Sequence, residues 1–98
     1  MDSMKFFATV TDCSHYVEFD GGFAVLRRSF LPNELDVVYL EVLGGYRSRG
    51  IARTALQWIK AHFGKSLRPI DVYPHANGFW KKMAEEGLVI NVFDVETV

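Results

Sequence analysis

The stretch Leu35-Asp36-Val37-Val38-Tyr39-Leu40-Glu41-Val42-Leu43 constrains this chain more than any other part of it. Apolar and β-branched residues run through it almost without a break, the pattern of a strand covered on both faces, as in an α/β sheet. After Gly44-Gly45 the period changes. Ile51, Ala55 and Ile59 recur every four residues beside Ala52, Leu56 and Phe63, while Arg53, Gln57 and Lys60 fall on the other side. An amphipathic helix ending at Gly64 is therefore expected straight after the strand.

The flanking sequence fills in a sheet around this unit. Lys5 to Val10, Tyr16 to Phe19 and Phe23 to Leu26 are short β-branched and aromatic runs, and the Asp20-Gly21-Gly22 step between the last two signals a hairpin. Ile70 to Tyr73 is expected as a short strand closed by Pro74, Ala76 to Glu86 as a second helix stopped at Gly87, and Leu88 to Val95 as a final strand. These elements make one α/β (α+β) domain over residues 1–98: a single mixed, mostly antiparallel twisted sheet with two main helices. At 98 residues and 49% hydrophobic, the chain has enough apolar material for one core.

Charge and cysteine content narrow the function classes. A formal net charge of −1 gives no global field for nucleic acid or an anionic membrane, and Arg27-Arg28, Arg47, Arg49 and Lys81-Lys82 lack the interleaved aromatics of a stacking platform. No apolar run is long enough to span a bilayer and no signal peptide is visible, so a cytoplasmic location is expected. Cys13 is alone, which leaves no internal disulfide and no cysteine metal site.

The chemistry concentrates where the long strand meets the helix. A helix start offers backbone N–H groups without internal partners and the positive end of the macrodipole, the setting in which phosphates bind. Gly50 lets the backbone approach such a group, Ala52 keeps the next turn slim, Arg47 and Arg49 add charge and Ser48 adds a hydroxyl. A ligand-free basic turn is the simpler alternative. Gly64-Lys65-Ser66 lacks the upstream glycine of a P-loop and follows a helix, so it is read as a helix stop.

Arg47-x-x-Gly50-x-Ala52, preceded by Val42-x-Gly44-x-Tyr46, resembles the signature of the GNAT superfamily of N-acetyltransferases, with Gly44 in place of the usual proline. Ala76-Asn77-Gly78-Phe79-Trp80-Lys81-Lys82 followed by Gly87-Leu88 is similar to that family's later motif. The resemblance implies acetyl-CoA as cosubstrate. Its pantetheine arm would lie along Leu40, Glu41 and Val42, and its pyrophosphate on Arg47, Ser48, Arg49, Gly50, Ile51 and Ala52, with Arg53 just outside. The second helix, with Asn77 and Trp80, would pack beside the pantetheine. It also implies a truncated form of the fold without the N-terminal helices, similar to very small members found in phages and mobile elements. That leaves an open acceptor face suited to a lysine on a protein, unless a homodimer supplies the missing wall.

Direct transfer of acetyl to an amine needs a base and a proton donor. Asp36 is the first candidate for the base and Glu41 the second; strict alternation puts Asp36 on one face with Val38, Leu40 and Val42, and Glu41 on the other with Tyr39 and Leu43, unless a β-bulge resets the parity. Trp80 stands where the family commonly has a tyrosine acid, and an indole N–H donates a hydrogen bond but not a usable proton. Tyr73 and His75 are the remaining donors, beside solvent itself. The alternative to an enzyme is a noncatalytic module of the same fold that binds and blocks a partner protein.

Overall fold

A two-residue loop, Asp20-Gly21, joins Ser14–Phe19 (β2) to Gly22–Arg28 (β3), and the register Phe19 opposite Gly22 places the turn where the Asp-Gly step predicts it. Gly21 has φ of +91°, which a glycine adopts without strain. The computed structural model describes residues 4–46 and 50–92. Within them Phe6–Val10 (β1) pairs with β2, and β3 pairs with Glu34–Val42 (β4), all antiparallel; Ser66–Pro69 (β5) joins β4 in parallel. The strand order is therefore the chain order, β1-β2-β3-β4-β5. Two helices, Ile51–Phe63 (α1) and Asn77–Glu85 (α2), complete a small mixed α+β domain.

Both helices pack on one face of the sheet. Val17, Phe19, Ala24, Leu26, Leu35 and Val37 point into a common core with Ala55, Leu56 and Ile59 of α1 and Trp80 and Met83 of α2. Leu26, Leu56 and Ile59 are wholly buried, each contributing roughly 1.5–3 kcal/mol by leaving water. At the seam of β1, β2 and α1, Phe6 stacks on Trp58 at 4.5 Å and His15 on Phe63 at 5.0 Å. An ion pair between Arg53 and Glu86 and a hydrogen bond from Lys60 Nζ to the Gly87 carbonyl tie α1 to the end of α2.

Expected helix ends hold. Gly64 takes the left-handed conformation and its N–H reaches the Lys60 carbonyl at 2.9 Å. At the end of α2, Gly87 is left-handed, its N–H meets the Ala84 carbonyl and the Leu88 N–H meets the Met83 carbonyl, a Schellman closure with Leu88 against the helix.

Four expectations change. Cover on both faces does not occur among the described residues: Phe7, Tyr16, Phe23 and Tyr39 stand exposed on the side away from the helices, because every amphipathic segment of the chain lies after β4 and packs on the same side. The strand expected at Ile70 to Tyr73 forms earlier, as β5, and Ile70–Tyr73 leaves the sheet at Asp71, whose φ is +52°. Residues 88–92 of the expected final strand form no ladder, though the Ile90 N–H bonds the Leu67 carbonyl; residues 93–98 lie outside the described ones. Finally, register against β3 jumps between Val25 opposite Tyr39 and Leu26 opposite Val37, leaving Val38 as an extra residue. That bulge resets the side-chain parity of β4, so Asp36, Tyr39 and Glu41 share the helix-free face while Leu35, Val37, Leu40 and Val42 share the other.

Candidate functional site

β4 outruns its parallel partner. Pairing with β5 stops at Val37 opposite Pro69, and the last cross-strand bond runs from the Ile70 N–H to the Val37 carbonyl at 3.2 Å. Beyond it β4 continues to Val42, with no described strand on that edge. The parting strands open a cleft of about 880 Å³, within the range of small-molecule and cofactor sites. One wall is β4 from Val37 to Val42, the opposite wall Ile70 to Tyr73, one end the first turn of α1, and the floor the apolar side of α2, including Phe79 and Met83.

The start of α1 supplies the polar end. Gly50, at φ +72°, is its N-cap, a conformation that disfavours any side chain there. Among the described residues no side chain caps this end, so none of them satisfies the first-turn N–H groups. The Gly50 carbonyl accepts from both the N–H and the hydroxyl of Thr54, each at 3.0 Å, which fixes the turn from inside the helix. Behind it the β2–β3 hairpin acts as a buttress: the Leu43 N–H bonds the Gly21 carbonyl at 2.7 Å, and Tyr46, in the short turn Gly44–Tyr46, packs on Gly21 so closely that an added Cβ would fall 2.6 Å from its Cγ.

At the open mouth four polar side chains gather. Tyr39 donates its hydroxyl to Glu41 Oε1 at 2.8 Å, an i, i+2 contact along one face of β4. That hydrogen bond to a carboxylate, with its charge, holds the Tyr39 phenol above its ordinary value, so Tyr39 remains a donor at neutral pH. Across the cleft Tyr73 stacks on His75 with ring centres 5.7 Å apart.

Most of the sequence-derived site residues meet here. Leu40, Glu41, Val42, Gly50, Ile51, Ala52, Arg53, Tyr73, His75 and Trp80 all line the cleft. Arg47, Ser48 and Arg49 lie outside the described residues. Two assignments are altered. Asp36 does not line the cleft; it sits on the half of β4 still paired with β5, 3.7 Å from Arg27. Asn77 is the first residue of α2 and does not line it either. Arg53 does, and its guanidinium is gripped by both oxygens of Glu86 at 2.7 and 3.0 Å, which ties α1 to the end of α2. Trp80 is 8% exposed, a core residue whose edge reaches the cleft. Sequence reasoning passed over Tyr39, Tyr46, Asp71 and Lys82 as site residues. The signal for Tyr39 was present: it stands two residues from Glu41 and, on a strand, shares its face.

No helix among the described residues is long and apolar enough to cross a membrane, and no described cluster of His, Cys, Asp or Glu could hold a metal ion. The fold and site define a two-layer α+β domain with a ligand-sized cleft at a split sheet edge. Compared with protein-family models, curated proteins and solved structures, the chain matches none.

Proposed function

We propose that this chain is a minimal acetyl-CoA-dependent N-acetyltransferase of the GNAT type, acting on an amine, with a protein lysine as the acceptor. One observation carries the reading: beyond Val37, β4 has no described strand on the edge it turns to a cleft of about 880 Å³, and that cleft ends on the start of α1, where no described side chain caps the helix. An extended chain bearing amides can hydrogen-bond such an edge as an added strand, and a pyrophosphate suits a helix start. These two features support acetyl-CoA as the ligand. Leu40 to Val42 would hold the pantetheine, and the start of α1 from Gly50 to Ala52 the pyrophosphate, with Phe79 and Met83 as apolar floor.

When bound, acetyl-CoA supplies a thioester whose acetyl group passes to the amine and whose thiol leaves. Glu41 accepts the proton that the amine must lose, because among the two carboxylates considered it alone lines the cleft. Tyr39 is a positioning residue that fixes the Glu41 carboxylate through the 2.8 Å bond. Tyr73, with a phenol and 62% exposed at the far wall, is the proton source for the departing thiolate, and His75 orients its ring by stacking.

Calorimetry with acetyl-CoA tests the reading. Micromolar binding that weakens at least about tenfold in Arg47→Ala with Arg49→Ala supports it. Absence of binding, or binding indifferent to both arginines, rejects it.

The noncatalytic alternative draws on Trp80, which is packed in the core and places no hydroxyl at the cleft. Mass spectrometry of a lysine peptide incubated with acetyl-CoA separates the two: an added acetyl group marks the enzyme, and cofactor binding without transfer marks the blocking module.

A further inference from the structure

The face of the sheet turned away from the helices carries a second concavity, about 400 Å³, on β1, β2 and β3. Thr9, Tyr16, Glu18, Phe23 and Val25 all project on this side, and all five line it. Tyr16 is 44% and Phe23 37% exposed, so both rings are open to a visitor. Glu18 stands directly opposite Phe23 in the ladder, and no described cation pairs with it. A carboxylate between two aromatic rings is a seat for a cationic side chain, attracted both by charge and by the ring faces.

The charge of the whole face points the same way. Its strand residues include four acids, Glu18, Glu34, Asp36 and Glu41, against two bases, Arg27 and Arg68, which leaves two negative charges. Both arginines are already engaged, Arg27 with Asp36 and Arg68 with Glu34. A second copy of this chain would bring the same excess of negative charge to the contact, and nucleic acid would be repelled by it. A basic protein segment is favoured on both counts. The face is also continuous with the cleft: Phe23 packs on Tyr39 with ring centres 5.6 Å apart, and Tyr39 holds Glu41 at the cleft mouth.

We propose that the helix-free face docks a basic segment of the acceptor protein, with one lysine or arginine side chain seated among Tyr16, Glu18 and Phe23 while a neighbouring lysine reaches Glu41. The seating needs no cofactor; its purpose as substrate capture rests on the acetyl-transfer reading.

Fluorescence anisotropy with the full chain tests this, using a labelled peptide of alternating lysine and glycine and a glutamate-glycine counterpart. The lysine peptide is expected to bind and the glutamate peptide not to. Glu18→Lys and Phe23→Ser are each expected to weaken the lysine peptide by about tenfold, Glu18→Lys with acetyl-CoA affinity and the thermal midpoint near those of the wild type. Glu18→Gln, which changes charge and little else, should weaken it in the same direction. Equal binding by wild type and Glu18→Gln overturns the proposal. So does a wild-type dimer that Phe23→Ser dissociates, since a second copy would then occupy the face. Glu18-dependent peptide binding without any acetyl-CoA binding keeps the docking site and rejects the acetyltransferase. Acetyl-CoA binding with no peptide binding does the reverse.

Discussion

Tyr39 donates its hydroxyl to Glu41 Oε1 at 2.8 Å across one step of β4, and both residues line the cleft, on the part of the strand past the bulge at Val38. The bulge puts two carboxylates that the sequence left as rivals on one face, and their positions along β4 separate them, since pairing with β5 ends at Val37. Glu41 ends in the cleft, and Asp36 ends beside Arg27. Glu41→Gln should lower acetyl transfer by about 10²–10⁴-fold, the usual worth of a positioned base, while Asp36→Asn should leave kcat/KM within a few-fold of the wild type. Steady-state rates with a lysine peptide measure both, and the opposite ranking would restore Asp36.

The same pair predicts a spectroscopic effect. Glu41 holds the Tyr39 phenol above the ordinary tyrosine value of about 10, so Glu41→Gln should move one tyrosine titration to lower pH. Alkaline absorbance titration reads this directly. Tyr39→Phe should remove that titration altogether, which identifies the phenol.

Gly21 couples the hairpin to the site. A side chain at φ +91° is strained, and its Cβ would drive into the Tyr46 ring. Gly21→Ala should therefore destabilise the fold by about 1–3 kcal/mol, seen as a lower thermal midpoint. It should also weaken acetyl-CoA, since Tyr46 leads into the turn that the proposed pyrophosphate site uses. A Gly64→Ala control, also left-handed but with open space around it, should lower the midpoint and leave acetyl-CoA affinity alone.

Local rules made much of this fold legible. Asp20-Gly21 located the hairpin, the four-residue repeat of Ile51, Ala55 and Ile59 located α1, and Gly64 and Gly87 marked both helix ends. What could not be read was where partners stop. Nothing local in Ile70 to Tyr73 says that pairing with β4 has ended by Pro69, since that depends on the bulge at Val38 and the turn at Asp71. The apolar run of β4 suggested two covered faces, yet Tyr39 and Val38 serve a cleft wall and not a second layer. The cleft residues on β4 and α1 were legible because a strand-turn-helix step brings them together; the pairing of Arg53 was not, because its partner Glu86 is 33 residues away.

Arg53 and Glu86 should give the fold part of its pH dependence. The Arg53 guanidinium holds the Glu86 carboxyl below the ordinary carboxylate value, chiefly by hydrogen bonding. A folded-state value lower than the unfolded one adds stability above the unfolded value, and this is lost as pH falls through the folded one. The thermal midpoint should thus fall more between about pH 6 and about pH 3 in the wild type than in Glu86→Gln. Because the pair ties α1 to α2 beside the cleft, Glu86→Gln should also weaken acetyl-CoA modestly at neutral pH.

Trp80 is the residue on which the catalytic and structural readings of α2 divide. It is 8% exposed, belongs to the same core cluster as Leu35 and Ile59, and meets Phe79 edge-on with ring centres 4.9 Å apart. If its main work is packing, Trp80→Phe removes part of the indole from a close-packed region and should cost roughly 1–3 kcal/mol of stability. Turnover at a temperature where the variant remains folded should stay within a few-fold, because the proton donor assigned to the reaction is Tyr73. Tyr73→Phe should reverse the pattern: the side chain is exposed, so the thermal midpoint should barely move, while kcat falls. Thermal melts and pH-rate profiles of the two variants side by side decide the matter, and a large loss of kcat in Trp80→Phe with none in Tyr73→Phe would transfer the catalytic role to α2.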